Sequence, residues 1–295
     1  MVKKGLEMDL SIIIVNYNTK ELTLQCLESI YEFNTGINSL EIFVVDNNST
    51  DGSVEAIKQQ YKNVNLIENR DNIGFSKANN QAIKQAKGDY VLLLNSDTIV
   101  KENTLSVMLL YMQQNKDVGA AGCEVMLPDG KLDKACHRGY PTPSASFYYM
   151  LGLAKKYPNN PKFNEYHKSY YNMREIHEID CLVGAFMIVR AETIQQVGML
   201  DENFFMYGED IDWCYRIKEA GWKIIYNPTV SIIHYKGASS RKKPVKIVYE
   251  FHRAMFLFHK KHYASKYSMF TNGIVYTGIT AKLALELIKN KVKNN

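Results

Sequence analysis

Carboxylate and amide side chains follow the apolar runs of the first hundred residues. The run Leu10–Val15 is rich in β-branched residues, which predicts a strand buried on both faces, and Asn16 ends it. The polar residues at such strand ends are Asn16, Asn18, Asp46, Asn47, Asn48, Asn95 and Asp97. Each alone is explained by an ordinary turn, whereas their recurrence after successive strands predicts a polar binding site.

A second set of chemically active side chains lies in the last third of the chain. Glu209, Asp210 and Asp212 open a predicted helix, where the helix dipole favours negative charge, and helix capping is the alternative explanation. His234 ends a later strand, and an ordinary surface or packed histidine is the alternative explanation. One carboxylate and one imidazole at strand ends can hold Mg²⁺ or Mn²⁺ against phosphates, and Asp97 with His234 is the predicted pair.

Alternating strands and helices must position these groups. The periodicity predicts strands at 10–15, 41–45, 64–67 and 90–94, and helices at 22–30, 54–61 and 75–86. Such alternation implies a mostly parallel, twisted sheet with helices on both faces, which binds ligands beyond the carboxyl ends of its strands. The chain contains neither GxGxxG after the first strand nor GxxxxGK[ST], so the two common nucleotide motifs are absent.

The pattern is less regular after Asp97. A helix is predicted at 105–114, a strand at 118–125, a hairpin turn at 128–130, a strand broken by Gly184 at 179–189, a helix at 191–197, and short strands at 224–226 and 230–233. Residues 137–178 show no clear period and hold seven of the 20 tyrosines. A segment of this length without periodicity is usually functional or mobile.

The composition is that of an ordinary globular protein. Hydrophobic residues make up 46% and charged residues 23%, which excludes collagen-like and wholly disordered chains. Five cysteines without a CxxC motif argue against a disulfide framework or zinc ribbon and favour reduced thiols in a cytosolic protein. The apolar run near the N-terminus is too short for a signal peptide, and no run is long enough to span a membrane.

The C-terminal region is strongly basic. From Lys236 onward the chain has 13 Lys or Arg and two acidic residues, although its net charge is only +5. Two amphipathic helices are predicted after Arg241, one along 245–262 and one along 274–292. Their aromatic and cationic faces predict binding to an anionic membrane surface, and the alternative is a helical hairpin packed on the body or on a second copy in a homodimer.

The motifs together resemble the inverting family 2 glycosyltransferases of GT-A (Rossmann-like) fold, and within them the bacterial rhamnosyltransferase-like branch. The matching pieces lie in family order over about residues 9–240. They are Val15-Asn16-Tyr17-Asn18, the segment from Val44 to Gly52, Asn72 to Phe75 with Ala78 and Asn79, Leu94 to Asp97, Gly184-Ala185, Asp201-Glu202 with Phe204-Phe205, Glu209 to Asp212 with Arg216 and Gly221, and His234 with Gly237 and Ser239. The first acid of the family's DxD motif is here Asn95, which leaves Asp97 as its one carboxylate.

The resemblance implies a role for each matching residue. Asp210 would be the catalytic base, and Asp97 with His234 would bind Mg²⁺ or Mn²⁺. The donor site would comprise Asn16 and Tyr17 at the base, Asp46 at the pyrimidine or ribose, Gly74 approaching the nucleotide, Asn79 bracing that loop, and Asn18, Asn48, Phe75, Asn95 and Ser96. Acceptor or supporting positions would be Gly184, Ala185, Glu209, Asp212, Trp213, Arg216, Lys236 and Arg241.

The resemblance also divides the chain. Residues 1–240 would be the catalytic domain, with a nucleotide-binding half at about 9–100 and an acceptor and catalytic half at 101–240. The tyrosine-rich insertion at 137–178 would be an acceptor platform, because tyrosine offers a flat face and a hydroxyl to sugar rings, or else an ordinary surface insertion. Residues 241–295 would be a basic helical region.

The expected activity is transfer of L-rhamnose from dTDP-β-L-rhamnose to a hydroxyl of a glycan or lipid-linked glycan in cell-surface polysaccharide synthesis. The enzyme would be cytoplasmic and peripheral on the inner face of the membrane, with no nucleic acid partner. A UDP-hexose or UDP-HexNAc donor is the alternative. Two rivals are a nucleotidyltransferase, which would need a Gly-rich basic loop where Asn16-Tyr17-Asn18 stands, and a protein that binds membrane or nucleic acid through its basic tail.

Overall fold

The first half of the chain forms the predicted alternation of strands and helices. The computed structural model describes residues 8–34, 36–37, 39–236 and 245–294. Its first elements are β1 (Met8–Asn16), α1 (Lys20–Glu32), β2 (Leu40–Asp46), α2 (Ser53–Gln60), β3 (Asn65–Glu68), α3 (Phe75–Ile83) and β4 (Gly88–Asn95). All seven were predicted, and their bounds differ from the prediction by a few residues.

The second half is more irregular. It comprises β5 (Thr98–Val100), α4 (Thr104–Gln114), β6 (Val118–Met126), α5 (Pro143–Met150), α6 (Leu153–Lys156), β7 (His177–Glu178), β8 (Phe186–Arg190), α7 (Ala191–Val197), α8 (Glu209–Glu219) and β9 (Lys223–His234). Two C-terminal helices follow, α9 (Val245–His262) and α10 (Met269–Asn294). The predicted hairpin turn at 128–130 is present, closed by an antiparallel bridge between Met126 and Leu132.

The strands form one sheet in the order β3-β2-β1-β4-β8-β6-β9-β5, with β7 paired to β9. Strands β1 to β4, β6 and β9 run in one direction, and β5, β7 and β8 run against them. The mostly parallel α/β class is therefore confirmed. Strand β1 lies between β2 and β4, so the carboxyl ends of three strands meet at one edge.

Three predicted elements were wrong in detail. The strand expected over 179–189 begins only at Phe186, because Val183 accepts a turn hydrogen bond from the Phe186 amide. The two short strands after residue 223 are one strand, β9, which accommodates Pro228 in a shift of register against β6. The insertion at 137–178 contains α5 and α6, and α5 begins at a Thr142 cap followed by Pro143.

Apolar side chains from both faces of the sheet form one large core. Its centre is β1, where Leu10, Ile12, Ile13 and Ile14 are fully buried, as expected for a strand covered by helices on both sides. All five cysteines are free and buried, which confirms that this fold uses no disulfide. No helix in the described part of the chain is long and apolar enough to cross a membrane.

Helix α9 packs on the body through a small second cluster. Ala254, Phe258 and Tyr263 contact Phe204 and Tyr215, and α10 then packs along α9. The two predicted C-terminal helices are thus present, and the first packs against α8 and the loop before it. The predicted domain boundary at 240 falls outside the described residues, as do Gly237, Ser239 and Arg241.

Candidate functional site

The polar ends of β1 and β2 lie side by side. Asn16 is paired in register with Asp46, and the Asn16 Nδ2 donates to Asp46 Oδ1 at 2.6 Å. The Asn16 side chain is fully buried, and its Oδ1 accepts hydrogen bonds from the hydroxyls of Thr19 and Thr23, each at 2.8 Å. These hydrogen bonds hold the Asn16 side chain in the interior. Asn16 therefore contributes to this edge of the sheet through its backbone.

Loops on either side of this pair leave an aromatic ring at the surface. Tyr17, which follows Asn16 in the chain, is 41% exposed. Asn18 and Asn48 both have positive φ, and Asn18 Oδ1 accepts from the Thr50 amide at 2.8 Å. Asp46 Oδ2 accepts from a backbone amide as well, so both its oxygens already have one partner.

The loop before α3 contacts a second loop, residues 201–208, that leads into α8. The Phe75 amide donates to the Phe205 carbonyl at 2.7 Å, and Gly74 has φ +89°. A Cβ on Gly74 would lie 2.5 Å from that carbonyl oxygen. The contact with the Phe205 backbone therefore explains the glycine at this position, whether or not a nucleotide approaches it. Asn79 Nδ2 donates to the Phe75 carbonyl at 2.9 Å, one turn earlier in α3. Gly184 faces the Phe75 ring.

Asp97 and His234 are adjacent and buried at the ends of antiparallel segments. Thr98 pairs with His234 across β5 and β9, and His234 Nε2 lies 3.1 Å from Asp97 Oδ1. Asn95 Nδ2 lies 3.4 Å from the same Nε2. Burial alone would lower the pKa of His234, but the Asp133 and Asp97 carboxylates raise it to about 9.

This donor set fits a divalent cation. Two adjacent ligands of an octahedral ion, each about 2.1 Å from it, are separated by about 3.0 Å, which is close to the observed spacing of Oδ1 and Nε2. The described residues contain no group of three or more His, Cys, Asp or Glu that could hold a metal. The pair therefore suits an ion that takes its remaining ligands from water and a diphosphate, as Mg²⁺ usually does.

Asp133 is a member of this cluster that the sequence reasoning missed. It follows the hairpin after β6, and its Oδ2 lies 3.8 Å from His234 Nδ1. Lys236 Nζ contacts both of its oxygens, at 2.9 and 3.0 Å. Burial would raise the pKa of Asp133, yet His234 and Lys236 lower it far below its ordinary value. The Asp-Gly turn at 129–130 was the sequence pattern that could have indicated this, because such a turn folds the following residues, including Asp133, back toward β6.

Asp210 is paired with a buried arginine. Arg138 Nη2 lies 2.6 Å from Asp210 Oδ2 and also donates to the Leu182 carbonyl. Beside this pair, Glu209 is buried and its Oε2 has no hydrogen-bond partner among the described residues. Burial and the Asp210 charge raise the pKa of Glu209 to about 8. The start of α8 therefore carries one carboxyl paired with Arg138 and, beside it, one carboxyl whose pKa is raised.

Asp212, Trp213 and Arg216 support the fold around this helix. Asp212 Oδ1 lies 2.7 Å from both Lys261 Nζ and His262 Nε2 of α9, and its Oδ2 lies 2.9 Å from Arg216 Nε. Trp213 is fully buried and donates to the Gly198 carbonyl at 2.9 Å. These contacts attach α9 to the helix that carries Asp210.

The two regions of the site are joined through the turn before β8. The Asn95 amide donates to the Ala185 carbonyl at 3.1 Å, which connects the end of β4 with the turn that Arg138 contacts at Leu182. Ser96 Oγ lies 3.0 Å from Thr19 Oγ1 and so faces the protein. The structure thus brings the predicted metal pair, donor edge and Asp210 region into one connected network.

The tyrosine-rich insertion presents exposed aromatic and apolar side chains. Phe147, Tyr149, Met150 and Leu151 on and after α5 are each more than half exposed. Deeper in the segment, His137 and His177 contact each other, and the His177 ring stacks on Tyr171 with centroids 4.7 Å apart. The insertion therefore has an ordered aromatic interior and an accessible apolar exterior.

Known proteins share this sequence pattern. Residues 8–248 match the family model described as glycosyltransferase like family 2. The N-acetylglucosaminyl-diphospho-decaprenol L-rhamnosyltransferase of Mycobacterium tuberculosis is 27% identical over 230 residues, which cover 74% of each chain. The rhamnosyltransferase WbbL of Escherichia coli K12 is 29% identical over 238 residues, covering 78% of this chain and 84% of that protein.

A solved structure shares the fold. The mannosyltransferase PcManGT of Pyrobaculum calidifontis, determined in complex with GDP-Man and Mn²⁺, superposes with a TM-score of 0.58 at 18% identity. The match covers 96% of this chain and 79% of that one. Since the family model spans residues 8–248 of the 295, the chain belongs to the family 2 glycosyltransferases and is a glycosyltransferase of GT-A fold.

Proposed function

We propose that the enzyme transfers L-rhamnose from dTDP-β-L-rhamnose, with inversion, to a hydroxyl of a glycan or lipid-linked glycan during cell-surface polysaccharide synthesis. The observation that carries this is the network joining Asp97 and His234 to the Asp210 region. It offers cation ligands and a carboxylate base around one edge of the sheet. The activities named for the two rhamnosyltransferase relatives support the choice of sugar and acceptor class.

Asp210 is proposed as the base that takes the proton of the acceptor hydroxyl. A neutral hydroxyl is a poor nucleophile, and a carboxylate within hydrogen-bond reach can remove its proton as it attacks the anomeric carbon. Attack opposite the diphosphate inverts that carbon. Arg138 orients the Asp210 carboxylate, because it pairs with Oδ2 and leaves Oδ1 with a single backbone amide donor.

Asp97 and His234 are the residues that would hold Mg²⁺ or Mn²⁺. When bound, the cation offsets the negative charge that develops on the leaving diphosphate. Asp46, Tyr17 and the 74–75 loop are proposed to hold the nucleoside, and the exposed face of α5 to receive the acceptor. In this proposal residues 1–240 form the catalytic domain and 241–295 the basic helical region.

A donor screen tests the sugar. We expect dTDP-rhamnose with Mn²⁺ to raise the melting temperature, since a ligand at a hundred times its Kd stabilises the folded state by about 2.7 kcal/mol. UDP-glucose, UDP-GlcNAc and GDP-mannose serve as comparison donors. A thermal shift with a UDP-sugar and not with dTDP-rhamnose would reject rhamnose as the donor sugar. Full activity after exhaustive chelation would reject the role of a divalent cation in transfer.

The Asp210→Asn variant tests the base. We expect transfer to be lost while the thermal shift caused by the donor is retained, because the substitution keeps the shape and removes the basicity. Near-normal turnover in this variant would reject Asp210 as the catalytic base. Glu192→Gln, an exposed acid in the first turn of α7, is the control for a change of charge at a helix start.

The outward face of α10 is proposed to lie on an anionic bilayer at the inner surface of the membrane. Phe270, Ile274, Leu285 and Ile288 are exposed there, and Met269 is 92% exposed. Residues 245–294 carry nine basic and two acidic side chains, which favours an anionic lipid surface over a second, equally basic copy of the chain.

Co-sedimentation with vesicles tests this surface. We expect the wild type to pellet with phosphatidylglycerol-containing vesicles and a Leu285→Asp/Ile288→Asp variant to remain in the supernatant. Equal pelleting of the wild type and the variant would reject the proposal that this face of α10 binds the membrane. Loss of a dimer in the variant, measured by light scattering without lipid, would assign the face to a second copy instead.

A further inference from the structure

The proposed function gives a role to only one of the two ring nitrogens of His234. Nε2 faces Asp97 at 3.1 Å, whereas Nδ1 is buried and has no hydrogen-bond partner among the described residues. A buried polar atom left unpaired destabilises the folded state, so its retention in the interior needs a reason. The carboxylate oxygen Oδ2 of Asp133 lies 3.8 Å from this nitrogen.

Asp133 is held firmly in that place. It is 5% exposed, and its Oδ1 accepts from the Ala135 amide at 3.1 Å. Lys236 Nζ bridges both oxygens, at 2.9 and 3.0 Å. Asp133 and Asp97 therefore lie on opposite sides of the imidazole, and the Nδ1 separation exceeds a hydrogen bond by less than 1 Å.

We propose that Asp133 is a positioning residue that accepts a hydrogen bond from His234 Nδ1 and so directs Nε2 into the cation site. The inference rests on the proposed function of Asp97 and His234. A cation bound at Nε2 uses that nitrogen's lone pair, so the ring proton is on Nδ1 and points toward Asp133. Histidines that bind metals almost always donate the second ring nitrogen to a carboxylate, carbonyl or water, which fixes the ring orientation.

Lys236 connects this carboxylate to the chain after β9. It lies two residues beyond His234, and its side chain is half exposed although Nζ reaches the buried Asp133. Asp133 thus contacts two residues of the same segment, His234 at its inner side and Lys236 at its outer side. The competing explanation is that Asp133 forms a purely structural ion pair with Lys236. Under that explanation, replacing Asp133 would not change the affinity for the cation.

Mn²⁺ binding to the full chain in the presence of dTDP, followed by electron paramagnetic resonance, separates the two explanations. We expect Asp133→Asn to weaken Mn²⁺ binding about 10- to 100-fold, the usual effect of removing such a partner. Lys236→Met should leave the affinity within about threefold. Asp129→Asn, in the nearby exposed turn, is the matched control and should bind as the wild type does.

The other variants distinguish failure of this inference from failure of the cation site. If Asp97→Asn and His234→Asn abolish Mn²⁺ binding while Asp133→Asn binds normally, the positioning role is overturned and the cation site stands. If the wild type binds no Mn²⁺, both are overturned. Equal weakening by Asp133→Asn and Lys236→Met would show that the cation site depends on the whole Asp133–Lys236 pair, which overturns a role of Asp133 through His234 alone. Thermal melts verify that each variant is folded before its affinity is compared.

Discussion

Arg138 and Asp210 form an ion pair whose side chains are only 11% and 12% exposed, with Nη2 2.6 Å from Oδ2. The arginine belongs to the start of the tyrosine-rich insertion, and the aspartate to the first turn of α8. Because Arg138 also donates to the Leu182 carbonyl, it connects three separate segments of the chain at the proposed base. The geometry of Asp210 therefore depends on a residue 72 positions away.

Replacing Arg138 should destabilise the protein and impair transfer together. Arg138→Met leaves the Asp210 carboxylate buried without its partner, and breaking a buried pair in this way costs about 3–5 kcal/mol. Chemical denaturation and steady-state transfer assays measure the two effects. Arg174→Met, at an exposed position of the same insertion, is the control and should change neither. Unchanged stability in Arg138→Met would contradict the importance of the pair.

Asp212→Asn should weaken the attachment of α9 to α8, although the apolar cluster between them remains. Burial alone would raise the pKa of Asp212, but the bond from His262 and the charges of Arg216 and Lys261 lower it to about 2. A lowered pKa stabilises the folded state above the unfolded value of 3.8, and this contribution is lost as pH falls through 2.

We therefore expect wild type and Asp212→Asn to differ by about 3 kcal/mol near neutral pH, where the substitution leaves the basic partners uncompensated. The difference should shrink as pH falls toward 2. Urea unfolding at several pH values measures it. A difference that is independent of pH down to 2 would argue against the ion pair as its source.

Glu209→Gln should flatten the dependence of stability on pH. Burial and the Asp210 charge raise the pKa of Glu209 above its ordinary 4.5, to about 8, so the folded state retains this proton longer than the unfolded chain. Stability from this group is complete below pH 4.5 and is lost as pH rises through 8. Parallel unfolding series between pH 5 and 8 for the wild type and the variant give the comparison; identical slopes would contradict the prediction.

Gly74→Ala should cost more stability than Gly130→Ala. Both glycines have φ near +80 to +90°, so both variants carry the backbone strain of an L residue there, about 1 kcal/mol or more. A Cβ at Gly74 would also lie 2.5 Å from the Phe205 carbonyl oxygen, whereas nothing lies within 4 Å at Gly130. Differential scanning calorimetry of the pair isolates the contact, and equal losses would show that strain alone matters.

Much of the first half could be predicted because its signals are local. The apolar run of β1 and the Asp-Asn-Asn segment after β2 specify a strand and a turn through residues adjacent in the chain. Parallel pairing then follows from the helices between strands, and it brings Asn16 beside Asp46 without further information.

The insertion and β9 were harder to predict because their signals are not periodic. The helix α5 is short and exposed, so it lacks the buried stripe that identifies longer helices. Strand β9 continues past Pro228 because its pairing with β6 changes register there, which requires a partner that is distant in sequence.

The sequence by itself determined the order of the elements, the burial of the cysteines and the residue types available for catalysis, because each follows from side-chain chemistry and local periodicity. The tertiary structure decided which charges face one another. Asp133 reaches His234, Arg138 reaches Asp210, and Lys261 and His262 reach Asp212, across separations of 49 to 101 positions that no local pattern records. Burial makes these pairings strong, since charges removed from water interact at low dielectric and cannot be left unpaired.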